Sequence, residues 1–224
     1  MIFYLPDFQT DILPEVEALH CIKVLRKGRG DQIKIADGKG NFATATILDP
    51  NIKKCQIVLK DIQHVEKPWE NEIWLAVAPT KQMERMEWMV EKCTEIGLDG
   101  ILFMQTSRTE RDTLKLDRLE KTALSAMKQS GQAWLPKLIW QPNWKAFPWA
   151  EFDHLWLADL SEGASSKLVL KGGRNLILIG PEGDFTPQEL SQIKAKNAEG
   201  IRLRPQVLRT ETAAIFALSM AHLS

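Results

Sequence analysis

Residues 175–190 read NLILIGPEGDFTPQEL. The apolar run before Gly180 does not alternate with polar residues, which is the pattern of a strand buried on both faces. Thr186-Pro187-Gln188-Glu189 is a capping box with proline at the first helical position, so a helix starts there. GPEGDF between them is therefore a strand-to-helix loop at the carboxyl end of a strand, where open α/β sheets bind ligands. Its glycines allow a ligand to approach the backbone closely, and a valine at Gly180 is expected to fill that space. An ordinary tight turn before a helix remains open as the plainer reading.

Outward from this loop the same alternation recurs. Apolar runs at IWLAVA (from Ile73), ILFMQ (from Ile101) and HLWLADL (from His154) are separated by helical patterns, which predicts a parallel α/β sheet. One helix carries Met83, Met86, Met89, Val90, Cys93 and Ile96 at three-to-four spacing and stops at Gly97, read as an αL cap. A last helix starts near Thr210, after the extended piece IRLRPQVLR. Upstream, QIKIAD, FATATIL and CQIVLK alternate with period two between turn signals at 37–40 and 49–51, which predicts a small antiparallel barrel. The polar stretch EKPWENE at 66–72 reads as a linker, dividing the chain into residues 1–69 and 70–224.

The composition fits a self-folding protein. Of 224 residues, 44% are apolar and 26% charged, and 29 basic residues balance 29 acidic ones, so no whole-molecule attraction to a polyanion exists. Cys21, Cys55 and Cys93 lack the spacing of a disulfide framework or a zinc site, and no metal is expected. No basic-plus-apolar leader and no 18-residue apolar run occurs, which predicts a cytoplasmic protein without a membrane partner. Eight tryptophans against one tyrosine, among them Trp69, Trp134 and Trp156, read as core or interface residues.

Several chemistries are excluded. No GxxxxGK[ST] is present, and the near match to GxGxxG/A at 38–43 lies in a hairpin, so P-loop and ordinary dinucleotide folds are rejected. His20, His64, His154 and His222 form no triad spacing. Two clusters remain. Residues 20–39 hold six Lys/Arg against two Asp, a local balance of plus four, and read either as a phosphate-contacting surface or as a solvated barrel face. Ser107-Arg108-Thr109-Glu110-Arg111 follows a strand, where an arginine serves either an RNA phosphate or developing negative charge, or else exposed ion pairs with Glu110 and Asp112.

GPEGDF at 180–185 followed by LRPQVLRTETAA at 203–214 resembles the signature pair of the SPOUT methyltransferases that modify 16S ribosomal RNA, most closely the uridine N3-methyltransferase family. KQMERMEWMVEKCTEIG (81–97), TERDTLKLDRL (109–119), AMKQSGQAWLP (126–136) and HCIKVLRKGRGDQI (20–33) match in the family's order, so the likeness covers essentially the whole chain. Four places depart from the usual pattern: Asp184 stands where a second glycine is common, Lys128 replaces a frequent acid, Gln132 a frequent arginine, and Arg204 and Gln206 interrupt a Gly-Pro-Arg.

The resemblance implies a PUA-like β-barrel for RNA and a C-terminal α/β domain whose deep trefoil knot binds S-adenosylmethionine. Knots are otherwise very rare, so no physical argument would propose one. Carried onto this chain, the cofactor loops are Leu157-Ala158, Leu178, Ile179, Gly180, Pro181, Glu182 and Gly183, and the segment from Leu203 to Ala213 with Leu208, Arg209, Thr210 and Thr212. RNA contacts are implied at His20, Lys23, Arg26, Lys27, Arg29, Arg85, Arg111, Lys128 and Gln129. A homodimer packed through knot helices is implied too, acting on 16S rRNA, free or in the small ribosomal subunit. For the chemistry, Arg111 is nominated to stabilise a uridine anion and Glu211 or Glu182 to accept its N3 proton. Glu211 also reads as a carboxylate favoured by the dipole at a helix start. Competing readings are a non-catalytic ribosomal RNA-binding assembly factor, against which LRTETAA argues, and a phosphate-handling nucleotide enzyme.

Overall fold

Period-two alternation becomes an antiparallel meander. In the computed structural model, which describes residues 1–161 and 163–223, β1 (Ile2–Tyr4), β2 (Ile12–Leu13), α1 (Glu15–Leu19), β3 (Gln32–Ala36), β4 (Asn41–Asp49) and β5 (Cys55–His64) precede the linker. They form one curled sheet of order β1-β3-β4-β5-β2, parallel only between β1 and β3. Ala43, Ala45 and Ile47 on alternate positions of β4 are buried, and with Ile33, Ile35 and Ile57 they make the core of this sheet. The β3–β4 turn is closed by Asp37, whose Oδ1 accepts the backbone N–H of Lys39 at 2.7 Å and of Asn41 at 3.0 Å. A π-helical turn, His20–Val24, continues α1.

Met1–Pro68 and Leu124–Leu135 form one compact unit, and Trp69–Ala123 with Pro136–Ser224 the other. The second segment of the first unit contains the end of α3 (Leu116–Ser130). There Met127 packs with Ile2 and Ala36, and Lys128 Nζ pairs with the buried Glu17 carboxylate at 2.5 Å.

The second unit holds β6 (Glu72–Val77), α2 (Met83–Ile96), β7 (Gly100–Met104), β8 (Lys137–Gln141), β9 (His154–Ala158), β10 (Arg174–Ile179), α4 (Pro187–Lys194), β11 (Glu199–Ile201) and α5 (Thr210–His222). Its six strands are all parallel, in the order β11-β9-β10-β6-β7-β8. The chain starts this sheet in its interior, steps outward through β7 and β8, then returns to the other side of β6. Leu176, Ile177 and Leu178 of β10 are fully buried, as a strand covered on both faces requires. Truncating one such leucine to alanine costs about 2–5 kcal/mol.

Two local readings are refined. The polar stretch at 66–72 is not a free tether, because Trp69 is buried and its Nε1 donates to Asp99 Oδ2 at 3.0 Å. Gly97 does cap α2 with positive φ, but at φ 105° and ψ 125°, outside the αL region. Its reason is close packing: a Cβ there would collide with the Trp69 ring. The three cysteines are buried and free, and burial pushes the Cys21 thiol up to about 11.

Candidate cofactor and substrate site

Because β6, β9, β10 and β11 run parallel, the segments that follow them all emerge at one edge of the sheet. β10 and β6 end in register, Ile179 beside Val77, and Ala78 N–H donates to the Ile179 carbonyl at 3.2 Å. At this edge lies a cavity of about 540 Å³, walled by Ala158–Ser161 after β9, Ile179–Asp184 after β10, the 203–208 segment, and Thr210 and Ala213 of α5. Thr210 Oγ1 donates to the Gly180 carbonyl at 3.2 Å, which fixes the start of α5 against the glycine loop.

The loop geometry follows from its residues. The capping box at Thr186 and Glu189 is formed in both directions, with Pro187 at the first turn. Asp184 occupies φ 63°, its N–H donating to the Pro181 carbonyl at 2.9 Å and its Oδ1 accepting Phe185 N–H at 2.7 Å. Glycine suits that left-handed position, and aspartate is among the few other residues that visit it through a local hydrogen bond. The loop is also braced from the segment after β7. Glu189 Oε1 accepts Ser107 N–H at 2.8 Å, and Arg108 Nη1 donates to the Gly183 carbonyl at 2.6 Å. Burial alone would raise the Glu189 pKa, but hydrogen bonds from Ser107 and Thr186 outweigh it and hold the carboxyl below its ordinary value.

The donor set suits a cationic adenosyl ligand. Three carboxylates, Asp159, Glu182 and Asp184, line the cavity against one guanidinium, Arg204, while Leu190, Leu203 and Val207 offer apolar wall to a flat ring. A polyphosphate would be repelled by the net negative charge there, whereas a sulfonium that also carries an ammonium group would be attracted by it. Asp159 stays ionised: burial would raise its pKa, but the Ser161 hydroxyl and N–H and the nearby Lys194 charge bring it below the usual value. A second cavity of about 390 Å³ lies at the amino end of β9, and none of the sequence-nominated cofactor residues line it.

Beside the main cavity sits a charged cluster. Arg85, in the first turns of α2, donates from Nη1 to Glu182 Oε1 at 3.0 Å and places Nε 3.8 Å from Glu211 Oε1. Glu211 is 5% exposed, and its Oε2 is buried with no hydrogen-bond partner among the described residues. An unsatisfied buried acceptor costs about 1–3 kcal/mol, more if charged.

Of the nominated cofactor residues, Ala158, Ile179, Gly180, Pro181, Glu182, Gly183, Leu203, Leu208, Thr210 and Ala213 line the cavity. Leu157 and Leu178 are buried behind the wall, and Arg209 and Thr212 are exposed and do not line it. Asp159, Leu160, Ser161 and Leu190 line it from outside the nominated cofactor loops, and Asp184 of the GPEGDF loop lines it too. Gly180 lines the cavity, and a Cβ there would also meet the Phe185 ring at 3.1 Å.

The cationic residues divide similarly. Arg111 donates from Nε to the Thr80 carbonyl at 3.2 Å and from Nη2 to that of Lys81, rather than pairing with Glu110 or Asp112. In the first unit Lys23, Arg26 and Arg29 are exposed, Lys27 and His20 are half-buried, and Arg26 has φ 55°. Gln129 is exposed, whereas Lys128 is committed to Glu17. Among the described residues no His, Cys, Asp or Glu group is placed to hold a metal ion.

Two family models match the chain: an RNA methyltransferase domain over residues 67–222 and an RNA methyltransferase PUA domain over residues 13–60. Ribosomal RNA small subunit methyltransferase E of Mesomycoplasma hyopneumoniae (strain 232) is 30% identical over 179 residues, covering 77% of this chain and 78% of its own. A Porphyromonas gingivalis structure described as a "probable rRNA-methyltransferase" superposes with a TM-score of 0.86 at 38% identity, covering 97% of this chain and 95% of that one. A Legionella pneumophila protein solved in complex with the bound cofactor SAM follows with a TM-score of 0.83 at 25% identity, covering 97% and 95%.

Proposed function

Because the chain belongs to the RNA methyltransferase family of SPOUT fold, with its companion PUA domain, we propose that it methylates N3 of a uridine in 16S rRNA with S-adenosylmethionine. The observation that carries the reading is the carboxylate-lined cavity at the carboxyl edge of the parallel sheet. The cofactor supplies an electrophilic methyl group on a sulfonium. The protein's part is to align the base with that methyl and to take up the weakly acidic N3 proton.

Asp159 and Glu182 would face the cofactor's positive charge, and the three loops would hold its adenosyl portion between backbone groups and the Leu190, Leu203 and Val207 wall. Glu211 or Glu182 accepts the proton. Arg111, tied by two donors to the start of α2, offers its remaining guanidinium edge to the base oxygens. Lys23, Arg26, Lys27 and Arg29 supply phosphate contacts from the PUA unit, with His20, Gln129 and Arg85 completing the RNA set. Lys128 acts there through Glu17.

A homodimer is part of the proposal. Ile215, Phe216 and Met220 of α5 are only half-buried and Leu223 is 88% exposed, a stripe at helical spacing that a second copy would cover. No helix among the described residues is long and apolar enough to cross a membrane, and an rRNA substrate puts the enzyme in the cytoplasm.

The test is transfer of labelled methyl from S-adenosylmethionine to 16S rRNA, offered free or in the small subunit, with the product nucleoside identified by mass spectrometry. N3-methyluridine is the expected product, and a different modified nucleoside would move the assignment. Reversing the charges of Arg26 and Lys27 should lower the log–log salt slope of RNA binding by about two units, one per lost phosphate contact, at unchanged cofactor affinity.

A further inference from the structure

We propose that Arg85 is a positioning residue that links the cofactor loop to Glu211 through Glu182, and that Glu211 rather than Glu182 presents the acceptor for the N–H of the target base. The inference rests on the methyl-transfer reading above and chooses between the two carboxylates that reading leaves open.

The two glutamates differ in environment. The Glu182 side chain is 51% exposed and its Oε1 already accepts Arg85 at 3.0 Å, so solvent and the guanidinium satisfy it. The Glu211 side chain is 6% exposed, its nearest cation is Arg85 Nε at 3.8 Å, and Oε2 meets no donor among the described residues. A carboxylate at the first turn of α5 would gain the same helix-dipole stabilisation while exposed, so the dipole does not account for its burial. A buried acceptor without a donor is instead what a site needs if a ligand's N–H completes it. The neighbouring residue, Thr210, lines the cavity and bonds to the Gly180 carbonyl, so Glu211 is held within one residue of the cavity wall.

Arg85 then has two tasks. Its charge lies 3.8 Å from the buried Glu211 carboxylate, and its fork joins three separate pieces of chain: α2, the loop after β10 and the start of α5. Ordering the glycine loop around a cofactor therefore also orders Arg85, and through it the acceptor. Lysine could supply the charge but not both contacts in fixed geometry.

The experiment compares Glu211→Gln, Glu182→Gln, Arg85→Gln and Arg85→Lys in the intact chain. Steady-state methylation of 16S rRNA, S-adenosylmethionine calorimetry and cofactor-free thermal unfolding are measured for each. Glu211→Gln should lower kcat by roughly 10²–10⁴-fold with cofactor affinity within threefold. Glu182→Gln should mainly raise the KM for cofactor. Arg85→Gln should lower kcat, Arg85→Lys should restore part of it, and Arg85→Gln should add little once Glu211 is already Gln.

Without cofactor or RNA, Arg85→Gln should lower Tm by about 5 °C because it leaves a buried carboxylate unpaired, and adding Glu211→Gln should recover most of that loss. Full turnover by Glu211→Gln, or a collapse of kcat in Glu182→Gln alone, would overturn the acceptor assignment. Additive Tm losses would overturn the pairing. A wild-type chain that transfers no methyl to rRNA would instead overturn the substrate reading, an outcome visible before any variant is made.

Discussion

The two ends of strand β9 teach how one sheet separates stability from function. At its amino end the polar groups satisfy one another. Arg174 donates to Glu72 Oε1 at 2.8 Å and stacks over Trp74 and Phe152 at 5.2 and 5.1 Å, while Lys171 pairs with Glu199 and lies over Trp156. At its carboxyl end the carboxylates of Asp159, Glu182 and Asp184 converge on an open cavity, and Glu211 Oε2 has no donor. Both ends have a cavity, of about 390 and 540 Å³, so volume alone does not single out the site. The difference lies in charge balance, because three carboxylates face one guanidinium at the carboxyl-end cavity.

The largest break in this contrast should come from Gly180→Val. Because its Cβ would press on the Phe185 ring at 3.1 Å and its γ carbons would crowd the cavity wall, S-adenosylmethionine affinity should fall about 100-fold by calorimetry, or about 2.7 kcal/mol. Lys196→Ala, in the cavity at the amino end, should leave affinity within twofold. Arg174→Ala should reverse the pattern. Loss of charged hydrogen bonds to Glu72 should cost about 1.5–3 kcal/mol in denaturant unfolding with cofactor affinity unchanged.

A smaller, pH-dependent effect should come from Glu189. Its folded pKa lies below the ordinary 4.5, so the stabilisation it contributes is present above that value and is lost as pH falls through the folded pKa. Unfolding measured from pH 6 downward should show this loss, and Glu189→Gln should flatten that part of the curve. An unchanged profile in the variant would remove Glu189 as the brace between the Ser107 segment and the glycine loop.

Periodicity made β6, β7, β9, β10, α2 and α5 legible, because each buries a long apolar face that the sequence must encode. β8 and β11 were not. β8 is an edge strand with no buried residue, and β11 has three residues, so neither carries a strong pattern. β1 was equally silent, since a three-residue strand pairing in parallel with β3 is fixed by a distant partner. In the site, GPEGDF and the start of α5 were readable from loop and cap chemistry. Asp159, Leu160 and Ser161 were not, because they join the cavity only through the strand order that sets β9 beside β10 and β11. Arg85 could be read as a basic residue on a helix, but its link to two glutamates 97 and 126 positions away depends on the fold.

If the carboxyl-edge cavity holds S-adenosylmethionine, calorimetric titration of the intact chain and of Leu203→Trp will show it. The wild-type chain should bind one cofactor per chain, and the tryptophan, which fills the cavity from its irregular wall, should abolish binding while the protein stays folded. Undiminished binding by folded Leu203→Trp would contradict the claim and place the cofactor elsewhere.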